Sequence, residues 1–361
     1  EYSELVFLMN WSIINTNDVS VTSNSYHKNN QEGILLDNSN NINISNNEIS
    51  RNLDGIYINR SEKNDIQNNI IKNNSVDGVL IKDSNSIKLK VNEISKNKKS
   101  GLLIKNSTDN LIQNNSINLN DIGIKLFKSE ENQLINNEIN NNNRGIILEL
   151  SRHTKMEENN LEENHLEILY GPRNTWNTHS IDESNTVDGE PILYIKNKNS
   201  IVLEKDYSQI ILANCTDTEL ANEEISNMYR IDLGYCDKIT IKNSTVKNLD
   251  KSIRLISTTN TDIIGNSILK NERGIVLFNS NENTIFNNDI KINDKEGIHI
   301  LSSYNNIIAN NTLEENKDDG IEISSSLANL IKNNLFISNN KYGIRSNDQS
   351  RLNVIYRNSF L

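Results

Sequence analysis

One motif constrains this chain more than any other feature: a glycine followed by alternating apolar residues, returning at a nearly fixed interval. It reads Gly33-Ile-Leu-Leu, Gly55-Ile-Tyr-Ile, Gly78-Val-Leu-Ile, Gly101-Leu-Leu-Ile, Gly123-Ile-Lys-Leu and Gly145-Ile-Ile-Leu at spacings of 22 or 23 residues. It resumes as Gly274-Ile-Val-Leu, Gly297-Ile-His-Ile, Gly320-Ile-Glu-Ile and Gly343-Ile-Arg-Ser, each 23 apart. Between the two runs, Gln209, Arg230 and Ser252 fill the slot, so the period survives without the glycine. A second apolar alternation, roughly Ile-x-Asn-Asn-x-Ile, lies in each repeat, as in Ile44 to Ile49 and Ile285 to Ile290. Short alternations bounded by Asn, Gly, Ser and Asp are strands between tight turns. Strands at this period with no helix between them stack coil on coil. The expected fold is all-β: a single-stranded right-handed parallel β-helix of 22–23 residues per coil and about 15 coils, one domain over residues 1–361 with an irregular segment at about 152–208.

Composition follows from that rule. The 361 residues include 70 Asn and 53 Ile, the Ile filling coil interiors and the Asn closing turns. A chain this rich in β-branched residues is building a core, which excludes a disordered polar segment. Net charge is −11 with no basic block, which argues against a nucleic-acid surface. No run of 18 apolar residues occurs, so no membrane insertion is expected from this segment. Six residues after each slot stand Ser39, Ser61, Ser84, Ser107, Ser129 and Ser151, then Cys215, Cys236, Thr258, Ser280, Ser303, Ser326 and Gln349. This column predicts an inward ladder of small hydrogen-bonding side chains. The Asn pairs led by Asn46, Asn68, Asn114, Asn136, Asn287, Asn310 and Asn333 predict a second ladder, with amides bonding between coils. Cys215 and Cys236 fall on adjacent coils, where either a disulfide or two buried thiols would fit. Nine Asn-x-Ser/Thr sequons are compatible with a glycosylated surface protein.

The segment from Gly171 to Asn197 breaks the repeat, and holds Trp176, His179 and both prolines, Pro172 and Pro191. Its Trp176, its Asn185-Thr-Val-Asp-Gly189-Glu-Pro191 and the following Leu212-Ala-Asn-Cys-Thr216 resemble the NosD-type parallel β-helix family, of the carbohydrate-binding and sugar-hydrolase group abundant in archaeal surface proteins. The resemblance implies a right-handed, pectate-lyase-like β-helix at the cell surface or otherwise outside the cytoplasm; no signal peptide is expected within this segment, whose start at Glu1 is read as either a processed export product or a piece of a longer protein. It leaves activity open.

The expected role is a structural or adhesive module that binds a polysaccharide or cell-wall glycan. Tyr170, Trp176, His179 and Tyr194 are the candidate ligand-binding residues, because aromatic rings in a loop-like segment can stack on sugars. The alternative is a polysaccharide lyase or glycoside hydrolase. Two residues after each slot, between two inward positions, a column faces outward. It runs Leu35, Tyr57, Leu80, Leu103, Lys125 and Ile147, an apolar stripe, then Ile211, Asp232, Arg254, Val276, His299, Glu322 and Arg345. Asp232, Arg254, His299 and Glu322 are the candidate catalytic residues, as acid–base or sugar-acid-binding pairs on adjacent coils. Motifs of related enzymes give no support: Asp-Pro-His-Asp needs a proline outside 172 and 191, Gly-His-Gly is missing, and Asn260-Thr-Asp262 and Asp318-Asp319 stand in different columns. A third reading, periplasmic copper handling, needs soft or imidazole ligands, yet three Met, two Cys and five His form no sequence cluster. No metal and no cofactor are expected. The apolar run Leu5 to Met9 is expected to cover the first coil, and the uncapped C-terminal coil to meet a further domain or a second copy.

Overall fold

The computed structural model describes residues 11–201, 207–221, 224–226, 230–247, 253–347 and 349–361. The capping run Leu5 to Met9 and the slot residue Ser252 lie outside them. The described chain is an all-β parallel solenoid of about 15 turns, as the repeat implied. It forms two compact units, residues 1–191 and 192–361.

In the first unit each coil contributes one strand to each of three parallel sheets, eight strands deep. The first sheet runs from Trp11–Ile14 through Ile34–Asp37, Ile56–Asn59, Val79–Lys82, Ser100–Lys105, Ile122–Phe127 and Arg144–Glu149 to Leu166–Leu169. Pairing is in register, Ile34 on Ile56 and Leu36 on Ile58, so identical side chains stack into columns. Ile34, Ile56, Leu36 and Ile58 have 0% exposure. In the second unit the strands Gln209–Ala213, Arg230–Gly234, Ile253–Ile256, Ile275–Phe278, Ile298–Leu301, Ile321–Ser324 and Ile344–Ser346 stack in the same way. Among the described residues no helix is long and apolar enough to cross a membrane.

Four left-handed corners bend each coil. In one coil they are Asn38, Asn41, Asn46 and Arg51, with φ between 49° and 60°, and the same four columns recur along the unit. Asn tolerates this conformation better than other non-glycine residues, which explains the first Asn of each pair. The second Asn makes the ladder. Asn115 receives the Asn92 N–H on its Oδ1 at 3.0 Å and donates from Nδ2 to Leu89 O at 2.8 Å and Asn137 Oδ1 at 3.0 Å. Asn47, Asn69, Asn92, Asn137 and Asn159 repeat that pattern. A further Asn ladder, Asn52 to Asn164, was not anticipated.

The glycines are required by packing. A Cβ at Gly55 would sit 2.4 Å from Gly78 O, 2.5 Å from Ile71 Cγ2 and 2.9 Å from Asn74 Nδ2, so the ladder and the next coil leave no room for it. The Ser column is the expected inward ladder, with each backbone N–H donating to the next Ser Oγ, as Ser61 to Ser84 at 3.1 Å. At its end Ser350, not Gln349, receives the Ser326 N–H, because the last repeat is one residue longer. Cys215 and Cys236 are free, buried thiols within this column. The hydrogen bond from Cys236 holds the Cys215 thiol down to about 7 against the effect of burial.

Coils keep their register through Leu166–Leu169. The departure begins at Gly171, with a 3-10 turn at Arg173–Thr175 and a tight reversal at Asp188 and Gly189 that pairs Thr186 antiparallel to Pro191. At the far end of the second unit, Leu352, Val354, Tyr356, Phe360 and Leu361 are exposed.

Candidate functional site

The structure does not assemble the four expected catalytic residues. Asp232 stacks directly on Arg254, and both are buried, at 0% and 7% exposure. Arg254 donates from Nε to Asp232 Oδ1 at 2.8 Å and from its terminal nitrogen to Oδ2 at 3.0 Å, while Arg230 Nε lies 3.3 Å from Oδ1. A carboxylate clamped between two guanidiniums and shut off from solvent cannot serve as an outward acid or base, which corrects the exposed placement expected for this pair. Val276 separates Arg254 from His299 along the column.

His299 and Glu322 do stack, Nε2 to Oε2 at 4.0 Å, inside a network that also takes in the column just before the glycine. Arg273 donates to Glu296 at 2.6 Å and lies 3.8 Å from Glu272, which also pairs with Lys295. Arg345 bridges Glu322, at 3.0 Å, and Asp319. Glu322 Oε1 accepts from Asn347 at 2.9 Å and Ser324 at 3.2 Å. Burial pushes the His299 imidazole toward its neutral form, with Arg273 and Arg345 acting in the same direction against Glu322 and Glu296. Glu296 completes this cluster and was missed because only the column after the glycine had been read for function.

Of the expected glycan-binding residues, Trp176 and His179 are fully buried. His179 Nδ1 accepts the Thr154 N–H at 3.2 Å and its Nε2 bonds Thr175 O at 3.0 Å. It therefore ends a ladder where an Asn would otherwise stand, and neither ring presents a face to a sugar. That corrects the stacking role given to them. Tyr170, in the first unit, is exposed; Tyr194, in the second, is half-buried.

The outward face of the first unit offers a better arrangement. Leu35, Tyr57, Leu80 and Leu103 are half-buried, a stripe with apolar surface accessible but not protruding. Beside its end the half-exposed Phe127 ring is approached by three ammonium groups, Lys105 and Lys125 at 5.8 Å and Lys128 at 5.3 Å from its centre, with Glu149 2.6 Å from Lys125. Each cation lies within reach of the ring quadrupole. Lys105 and Phe127 pair across adjacent coils in the next outward column, where a repeat-by-repeat reading two residues further on would have found them. Nearby in sequence, Asp54 and Asp77 are buried on successive coils, and the Asp77 N–H donates to Asp54 Oδ1 at 2.9 Å. Burial, with the Asp77 and Glu32 charges, lifts the Asp54 carboxyl to about 6 against the Asp77 hydrogen bond and Lys99.

No curated protein sequence matches the chain. Among solved structures it is similar to the A-module of the Azotobacter vinelandii mannuronan C-5 epimerase AlgE6, at 9% identity over 98% of this chain and 91% of that one, with a TM-score of 0.33. It is also similar to the tailspike of E. coli bacteriophage HK620, at 10% identity over 91% and 67%, TM-score 0.42, and to the catalytic domain of a GH87 alpha-1,3-glucanase, at 12% over 96% and 55%, TM-score 0.37. The profile of the family described as periplasmic copper-binding protein (NosD) matches residues 12–193 and 192–361. Two matches that together span the described solenoid place this chain in the NosD family.

Proposed function

We propose that this chain is a binding module that acts outside the cytoplasm, holding an anionic polysaccharide along the outward face of its first unit. The observation that carries this reading is Phe127 surrounded by Lys105, Lys125 and Lys128 at the end of a half-buried apolar stripe. An aromatic ring and apolar side chains suit the C–H faces of sugar rings, and ammonium groups suit their carboxylates. The chain as a whole carries −11 and repels polyanions at long range, so capture of a uronic-acid polymer requires a local cluster of this kind. The polymer is held rather than cut: the clamped Asp232 and the multiply hydrogen-bonded Glu322 are poor proton carriers. The family description places its members in the periplasm, which supports the compartment.

Affinity electrophoresis through gels containing a soluble polyuronate tests the reading. Retardation of the wild type is expected in polyuronate and not in a neutral glucan, lost in Phe127→Ala and in the triple variant Lys105→Met, Lys125→Met, Lys128→Met, with the polymer's chain length unchanged. Equal retardation by the neutral glucan, or an unaffected triple variant, would refute it. New chain ends that vanish in His299→Ala would favour the cleaving enzyme.

Copper, which the family description names, finds no sulfur-rich set here. Met156 is sealed in the core, and Cys215 and Cys236 serve the buried Ser column. The two thiols touch each other but are buried with no third soft donor gathered beside them among the described residues, so no step is assigned to that metal.

A further inference from the structure

We propose that Glu296, His299 and Glu322 form a binding site for a divalent cation of the zinc class. One ligand atom from each lies within 4.8 Å of the other two; Glu296 and His299 flank Gly297 on one coil and Glu322 stands on the next, with His299 and Glu322 held in register by backbone pairing. Neither ring nitrogen of His299 is hydrogen-bonded to a described residue, and its nearest carboxylate, at 4.0 Å, is too far for such a bond. An imidazole left unbonded beside two carboxylates is an arrangement that a shared cation would complete.

The groups behind the ligands fit the same purpose. Metal-bound carboxylates are oriented by hydrogen bonds from outside the coordination sphere; Arg273 plays that part for Glu296, and Arg345, Asn347 and Ser324 for Glu322. Each arginine is divided between two acids, Arg273 between Glu296 and Glu272 and Arg345 between Glu322 and Asp319. With Lys295 on Glu272, three cations face four carboxylates, and the cluster keeps a negative charge for an incoming ion. Zinc–nitrogen and zinc–oxygen bonds of about 2.1 Å in a tetrahedral shell separate neighbouring ligands by roughly 3.4 Å, so the three atoms must draw in by about 1 Å, within the reach of Glu side-chain rotation. The imidazole nitrogen disfavours calcium and magnesium, which take oxygen ligands. Three protein ligands leave a fourth position for water or a ligand hydroxyl, and the His299 side chain is 18% exposed.

The test uses the full chain, dialysed against EDTA and titrated calorimetrically with zinc chloride, with calcium chloride and copper(II) sulfate in parallel, and cobalt(II) as a spectroscopic probe. One zinc per chain is expected, with a tetrahedral cobalt absorption band, both lost in His299→Ala and His299→Gln and weakened at least tenfold in Glu322→Gln. Thermal melts of the metal-free variants should match the wild type, separating loss of a ligand from loss of fold. The lysine triple variant should bind zinc unchanged, so failure of polysaccharide binding leaves this result standing. No zinc uptake, equal uptake by His299→Gln, tighter calcium than zinc, or copper binding without zinc binding would overturn the assignment.

Discussion

In the first unit the outward column after the glycine opens with Leu35, Tyr57, Leu80 and Leu103, half-buried and uncharged, before it reaches Lys125; in the second it runs through Asp232, Arg254, Val276, His299 and Glu322, and there the charged groups are tied in pairs across coils. Both units have the same inward columns of fully buried Ile and Leu. What differs is how each outer face is held. Where Gln209 and Arg230 replace the glycine, the slot's own side chain is buried and the Arg230 guanidinium joins the ion cluster at Asp232; where the glycine returns, at 297 and 320, the outward His299 and Glu322 stack directly on one another. A period can therefore be kept while the chemistry laid over it changes from apolar to ionic.

The sharpest way to break this contrast is Asp232→Ala. Removing the carboxylate from two buried guanidiniums should cost about 3–5 kcal/mol in urea unfolding followed by circular dichroism; a loss below about 1 kcal/mol would mean the ion cluster is not what holds that face. In the first unit the equivalent blow is to the spacing rule. Gly55→Ala, whose Cβ meets Gly78 O at 2.4 Å, should cost about 1–3 kcal/mol by overpacking, and full wild-type stability would show that the coils yield more easily than their ladders imply. The smallest change has the opposite sign. Because burial lifts the folded Asp54 carboxyl to about 6, above the ordinary aspartate value of 3.8, the folded state binds the proton more tightly, and stability is lost as pH rises from about 4 to 6. Asp54→Asn keeps an oxygen for the Asp77 N–H and should gain about 1–2 kcal/mol at pH 7, flattening that slope in melts taken between pH 4 and 7.

The interior was legible because it is periodic: Ile at 58, 81 and 104 declares its column by spacing alone. The division of labour within each Asn pair was not, since Asn46 and Asn47 are the same residue type and only backbone geometry makes one a corner and the other a ladder rung. Burial of Asp232 was illegible for a related reason: alternation reports which way a side chain points, and says nothing of what lies over it. Trp176 misled as an aromatic in an irregular segment, where packing claims the ring. Glu296 and Phe127 stood in columns that obey the same spacing and were legible, had every column been followed instead of one.

The in-register ladders carry an evolutionary consequence. Each coil presents to the next the same donors and acceptors it received, as Asn92, Asn115 and Asn137 hand one amide bond along, so duplication of one 22- or 23-residue repeat adds a coil that already matches both neighbours. The size of such a unit is then set by gene copy number, not by how large a core can grow, and binding faces lengthen in whole-coil increments while each outward side chain stays free to vary.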